Sequence, residues 1–416
     1  MDHHRMTPAA EWQPRTRSVA AWAIYDLANT IFALGVGSLY FAEWLTDNDT
    51  PDLALAVAIN AAMIVVIVLG PWIGARSDHR GRRRPYLLPA TLLAVVPTFF
   101  LATPGVTGSL VLFSIALIGF NLGSVVYDSM LPDVSTPQNR GFVSGMGVAV
   151  GYIGSFIAVA VGLLFLDSLG HSGVFKIIAV LFVLFALPTF FLVEERPKAR
   201  QDGPAPSLAS SVRRLVNAWR RTRHYEGVTR FLIGRFFYTD AVNTLIGGFL
   251  TIFVIEELGF TDTEVQMLLG MAIVGAMAGA WFGGRLVDLS GPRRLLHIAI
   301  HTWIVAIGLG IVAAEADLVW LAWILGAIGG LALGATWTAD RVYMARISPP
   351  EQLGEFYGLY ATVGRFATIL GPLVWGLLVT VLGLSRSWAM GALIVFLVIG
   401  RVILEGVNDE VRAWGA

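Results

Sequence analysis

The sequence predicts an all-α membrane protein: twelve transmembrane helices in two six-helix bundles related by pseudo-symmetry. Composition, the spacing of apolar runs and an internal repeat predict it together. Of 416 residues, 56% are hydrophobic and 14% charged, with a mean hydropathy of +0.69. A soluble domain is less apolar and carries about 25% charge, so lipid is the main solvent. The formal net charge is +0, and no bulk field recruits nucleic acid. Cysteine is absent, which removes disulfides, thiol nucleophiles and thiolate metal sites.

Crossing a hydrocarbon core of ~30 Å takes roughly 20 apolar residues. Runs of that length fall at 18–45, 52–77, 86–104, 108–131, 142–166, 174–194, 229–256, 264–287, 293–313, 317–340, 354–381 and 385–405. Helix is the assignment, since isolated strands leave backbone groups unpaired in lipid and the alternation of a barrel is missing. Residues 1–17, with five charged side chains and no apolar core, read as a cytoplasmic tail rather than a signal peptide. The organisation expected is a bundle over 18–194, a linker over 195–228, a second bundle over 229–405 and a tail over 406–416.

Charge supplies the orientation. With both termini in the cytoplasm, inner loops and tails hold 25 of the 29 Lys and Arg residues. Outer loops hold only Lys176 and Arg386, while Arg235 and Arg365 lie within spans. That bias follows the positive-inside rule and implies a multi-pass protein of the plasma membrane. The stretch 207–223 of the linker, with five arginines, reads as a basic amphipathic helix on the anionic leaflet or as a plain topological tether.

The repeat is direct. Gly74, Asp78, Gly81, Arg82 and Arg83 recur as Gly284, Asp288, Gly291, Arg293 and Arg294, a shift of 210 positions that puts each set between the second and third spans of its half. Asp26-x-x-Asn29-Thr30 recurs as Asp240-x-x-Asn243-Thr244, and Ser135-Thr-Pro137 as Ser348-Pro-Pro350. Nearly constant offsets indicate duplication, and parallel repeats about an axis along the membrane normal are a known transporter plan.

Charges inside spans are expensive and normally face water or each other. Asp26 reads as a site for a substrate amine or a coupling proton, or as a group that neutralises a fixed arginine or hydrogen-bonds the backbone. Asp240 carries the same two readings, with Arg235 as the nearby partner for the second. Arg365 suits an anionic group such as a carboxylate, because a guanidinium can bind it bidentately; its rival role is an ion pair with Asp26. Tyr25, Asn29, Tyr152, Tyr238, Asn243 and Trp337 offer polar edges to a cavity, or serve helix packing. Asp128, Asp340 and Arg341, near span ends, fit solvated caps or an inner gate. The histidines are scattered without metal-ligand spacing, and the glycine clusters lack the strand context of a phosphate cradle. Neither an enzyme nor a resident metal or cofactor is expected.

The paired Gly-x-x-x-Asp-x-x-Gly-Arg-Arg loops resemble the signature of the major facilitator superfamily. Ala21 to Thr30, Tyr127 to Gly154 and Glu355 to Tyr360 look like the vacuole-effluxer-like, or unknown-major-facilitator, family, over about residues 20–380. The resemblance implies a twelve-helix permease working by alternating access, with Asp78 and Asp288 pairing with loop arginines and a helix end to latch the halves on the cytoplasmic side. Its fungal members are associated with amino-acid efflux from the vacuole. Thr136-Pro-Gln-Asn139 stands where the family has a charged run, and the fifth span lacks the Gly-Pro signature of drug/proton antiporters. The expectation is a monomeric transporter of a small polar or zwitterionic solute, with protons as a candidate coupling ion. An uncoupled facilitator and a non-transporting receptor or scaffold are the alternatives.

Overall fold

The computed structural model describes residues 13–136, 140–195, 205–348 and 353–408, and among them every regular element is helical. Helix α1, Thr16–Asp47, is apolar along its length but is interrupted by a π turn at Gly35–Leu39. It is followed by α2, Asp52–Arg80, α3, Arg84–Phe99, and α4, Gly105–Ser129. The next helical stretch, Arg140–Leu192, has 53 residues, about 80 Å of helix and far more than one bilayer crossing. It divides at Gly170, whose φ of 64° and ψ of 177° are not helical, into α5 (140–169) and α6 (171–192). The two limbs run side by side: a side chain built at Gly35 would meet both Ala158 of α5 and Ile178 of α6.

A short helix, α7, Leu208–Thr222, precedes the second set. Helix α8, Val228–Glu256, carries a π turn at Leu245–Phe249, 210 residues beyond the one in α1. Then come α9, Asp262–Ser290, α10, Pro292–Glu315, and α11, Leu321–Ile347. Helix α12 is in two pieces, Leu353–Phe366 and 370–381, and α13 is Arg386–Leu404.

Among the described residues ten helices are long and apolar enough to cross a membrane. Dividing the α5/α6 stretch and adding the sixteen residues of α3 is consistent with twelve crossings. Two expected spans shift. The third stops at Phe99 rather than 104, because Ala102 takes a φ of 62° and its N–H donates to Ser109 Oγ at 3.1 Å, turning the chain early. The tenth starts at Leu321, after a turn with Asp317 at φ 55°, and runs on to Ile347. Large apolar side chains such as Ile64, Leu164, Phe191, Trp281 and Val402 are exposed around the bundle, as a lipid-facing surface requires.

Helices α1–α6 pack together, with α1 lying along α5 and α6, and α8–α13 pack around one another. The two sets meet most closely at the end bearing loops 48–51, 257–261 and 382–385. There Leu53 N–H donates to Thr380 Oγ1 at 3.1 Å, and Thr251 Oγ1 donates to the Ser38 carbonyl at 2.9 Å. Asp52, 3% exposed, accepts from Trp375 Nε1 at 2.7 Å and from Arg386 Nε and Nη2 at 3.1 and 2.9 Å. The Arg-rich turns lie at the opposite end.

Candidate functional site: a mixed-charge cleft between the halves

A cavity of about 320 Å³ lies between the two helix sets. Its apolar wall includes Phe32, Phe113, Phe120 and Phe249, and its polar edges include Ser38, Asn121, Asn243 and Arg365. Arg365 lies in the last turn of the first piece of α12, beside a break in that helix. The break has a local cause. Pro372 has no N–H, and its ring excludes the carbonyl four residues back, so the ladder cannot continue through 367–369.

Two side chains of α8 satisfy the groups this break exposes. Asp240, fully buried, accepts from Gly371 N–H at 3.0 Å at the start of the second piece. Asn243 Nδ2 donates to the Ala367 carbonyl at 2.8 Å at the end of the first. The second Asp-x-x-Asn motif thus holds the discontinuity beside Arg365, as unwound backbone in a transporter requires.

The matching motif in α1 does something else. Asp26 is half-buried against Gly151 of α5, where a side chain would come within 2.9 Å of its Oδ2. Asp128 of α4 and Arg341 of α11 lie within electrostatic range of Asp26. Asp128 is in turn within range of both Arg365 and Arg341. Asp128 and Arg341 are exposed, and Arg365 is half-buried. Two carboxylates of the first set therefore lie within electrostatic range of guanidiniums of the second, Asp26 of Arg341 and Asp128 of both Arg341 and Arg365, and among the described residues no ion pair joins them. Tyr152 stands on the same side, within range of Arg341.

Tyr25, Asn29, Trp337 and Tyr238 are not among the residues that line the cavity of about 320 Å³. Tyr25 is buried, bonded to Thr91 Oγ1 at 2.6 Å and stacked on Tyr127, which stacks on Trp22. Asn29 is 7% exposed, and Trp337 is half-buried on α11. Tyr238 is fully buried and donates to Asp340.

Asp340 corrects the sequence reading. It is not a solvated cap but has no exposure, accepting from Arg235 Nε at 2.9 Å and Tyr360 hydroxyl at 2.7 Å as well as from Tyr238. The Arg235 guanidinium also lies 3.7 Å from the Tyr360 ring centre. Arg235 pairs with Asp340 and not with Asp240, and Arg365 is not ion-paired with Asp26.

In the repeated turns, Gly81 and Gly291 have φ of 67° and 83°, values that favour glycine. Gly74 faces Val125 of α4, while Gly284 faces open space. Arg82 is exposed. Arg83 is buried on Asp133, and the N–H groups of Arg83 and Arg84 both donate to Glu195. Arg293 donates to the Glu405 carbonyl at 2.8 Å, and Arg294 lines a surface recess beside it. These contacts run within one helix set each. The side chains of Asp78 and Asp288 lie outside the described residues, as do Pro137 and Pro350.

A bundle of this architecture, with a charged cleft between duplicated halves, is a multi-pass membrane transporter of the major facilitator type. Residues 52–411 match the family described as "Vacuole effluxer Atg22 like", and the chain belongs to that family. It is 27% identical to an uncharacterized MFS-type transporter, YxiO, of Bacillus subtilis, over 95% of this chain and 96% of that protein. It is 24% identical to Autophagy-related protein 22-1 of Aspergillus niger over 65% of this chain but 48% of that protein, so the match spans about half of that fungal relative. Among solved structures, a point-mutant form of a nucleoside transporter, NupG, superposes with a TM-score of 0.75 at 14% identity, covering 94% of this chain and 100% of that one. A D-xylose-proton symporter gives 0.71 at 12% identity, covering 94% and 98%.

Proposed function

We propose that the chain exports a small zwitterionic metabolite, an amino acid or close analogue, across the plasma membrane by alternating access, with both termini cytoplasmic. The observation that carries this reading is the unpaired array of Asp26 and Asp128 opposite Arg341 and Arg365. A zwitterion fits such an array: its ammonium group goes to the carboxylates and its carboxylate to the guanidiniums, each a charge-assisted hydrogen bond. Bridging the halves in this way couples ligand binding to their relative movement. The coarser support is the family's description as effluxers.

In this orientation the contacts around Asp52 close the outer side, and the cleft opens inward past Asp128 and Arg341. Asp26 is the candidate carrier of a coupling proton, as a carboxylate within a span that no ion pair holds among the described residues. The test is flux in proteoliposomes of the purified chain. Zwitterionic amino acids should be carried and should raise its melting temperature, whereas their methyl esters should do neither; esters that bind equally well exclude the carboxylate–arginine contact. Flux indifferent to an imposed pH gradient would identify an uncoupled facilitator. Loss of all flux on deleting 207–223 would favour a role for the linker beyond tethering.

A further inference from the structure

A second polar recess, of about 640 Å³, opens on the outer surface of the second helix set, away from the cleft. It is lined by Arg293, Arg294, His297 and His301 of α10 and by Arg401 and Glu405 at the end of α13. Among the described lining residues Glu405 is the one carboxylate, and it is engaged by Arg401 Nη1 at 3.0 Å, while its carbonyl accepts from Arg293. Cationic groups therefore outnumber it. His297 Nε2 and Arg401 Nε are buried and have no hydrogen-bond partner among the described residues. His301 Nδ1 donates to the His297 carbonyl at 2.6 Å, which leaves its Nε2 available to take a proton and donate outward.

The recess also continues into an apolar path. Ile298 lines it, and Val305 and Val312, successive heptad positions on the same face of α10, are 55% and 46% exposed. Val395, Val398 and Val402 of the neighbouring α13 are exposed as well. A soluble anion has no use for such a stripe; an acyl chain does.

We propose that this recess binds the headgroup of an anionic membrane phospholipid, its phosphate held by Arg294, His301 and Arg401 and its acyl chain lying along α10. Basic pockets between helices at the inner leaflet suit such headgroups, and the site is separate from the substrate cleft.

The test is native mass spectrometry of the purified full chain titrated with phosphatidylglycerol or phosphatidylcholine, alone and with millimolar inorganic phosphate. Phosphatidylglycerol should be retained more tightly than phosphatidylcholine. Arg294→Gln and His301→Gln should each weaken it by about fivefold, the worth of one cation near an anionic lipid. Lys176→Gln, which removes one positive charge at the opposite end, should leave it unchanged. Equal retention of the two lipids, or equal loss in Arg294→Gln and Lys176→Gln, overturns the proposal. Displacement of the lipid by phosphate also overturns it, by marking a site for soluble anions. Melting temperatures of the lipid-free variants within a degree or two of the parent's establish that they are folded.

Discussion

Arg235 and Asp340 are 105 residues apart in sequence yet share one buried bond network. Truncating one partner of such a pair strands the other's charge, at about 3–5 kcal/mol. Asp340→Ala should therefore melt far below the parent in detergent, while the double change Arg235→Met with Asp340→Leu should recover most of the loss; recovery absent from the double variant would mean the network does more than neutralise. The sequence made the charges conspicuous but pointed Arg235 to Asp240. Five residues turn a helix by about 500°, so those two side chains leave α8 in different directions, and only the packing of α11 on α8 supplies the true partner. Arg365, by contrast, was legible: an arginine flanked by Gly364 and Phe366 inside an apolar span has few places to go except a polar cavity. Arg365→Lys keeps the charge but loses the fork. It should weaken substrate binding by about tenfold or more with little change in melting temperature, as read by isothermal titration or thermal shift.

Among the elements, α12 depends on a neighbour for its continuity. Asp240→Ala removes the acceptor for the Gly371 amide, leaving a buried donor unsatisfied at about 1–3 kcal/mol. The melting temperature should fall, and substrate affinity should fall with it, because the break positions Arg365; intact affinity in this variant would separate the break from the site. The repeat in the sequence correctly paired Asp26 with Asp240, but the two copies have diverged in use. One is a half-buried carboxylate against Gly151 of α5 and the other caps a helix. The signal for the difference was Gly371-Pro372, which has no counterpart after Tyr152 in α5, where the helix runs on unbroken. Helix existence was legible throughout, because apolar runs of about 20 residues have few alternatives in lipid. The ends of α3 and α11 were not, since both are decided by single turn residues with positive φ.

Across the whole molecule, Asp52 is the main tie at the closed end, joining α2 of one half to Trp375 and Arg386 of the other. The charge bias marked Arg386 as one of two basic residues of the outer loops, but nothing local to it or to Asp52 predicts a contact across 334 positions. Asp52→Ala should release this end. The cysteine-free chain allows a clean measurement: with Asn121→Cys in the cavity wall, labelling by an impermeant maleimide added outside should rise by about tenfold or more, the equivalent of one lost charge-assisted bond. Unchanged labelling would place the closure elsewhere.

The two π turns give that closure a particular character. At each, the regular backbone ladder of a long helix is already interrupted, and at one of them the Ser38 carbonyl accepts the Thr251 hydroxyl across the seam. When the seam parts, water entering the passage can take over that carbonyl, so neither helix needs to unwind to let go. On the alternating-access reading proposed above, the seal is thus a surface-to-surface exchange of partners that leaves the helices carrying it undisturbed.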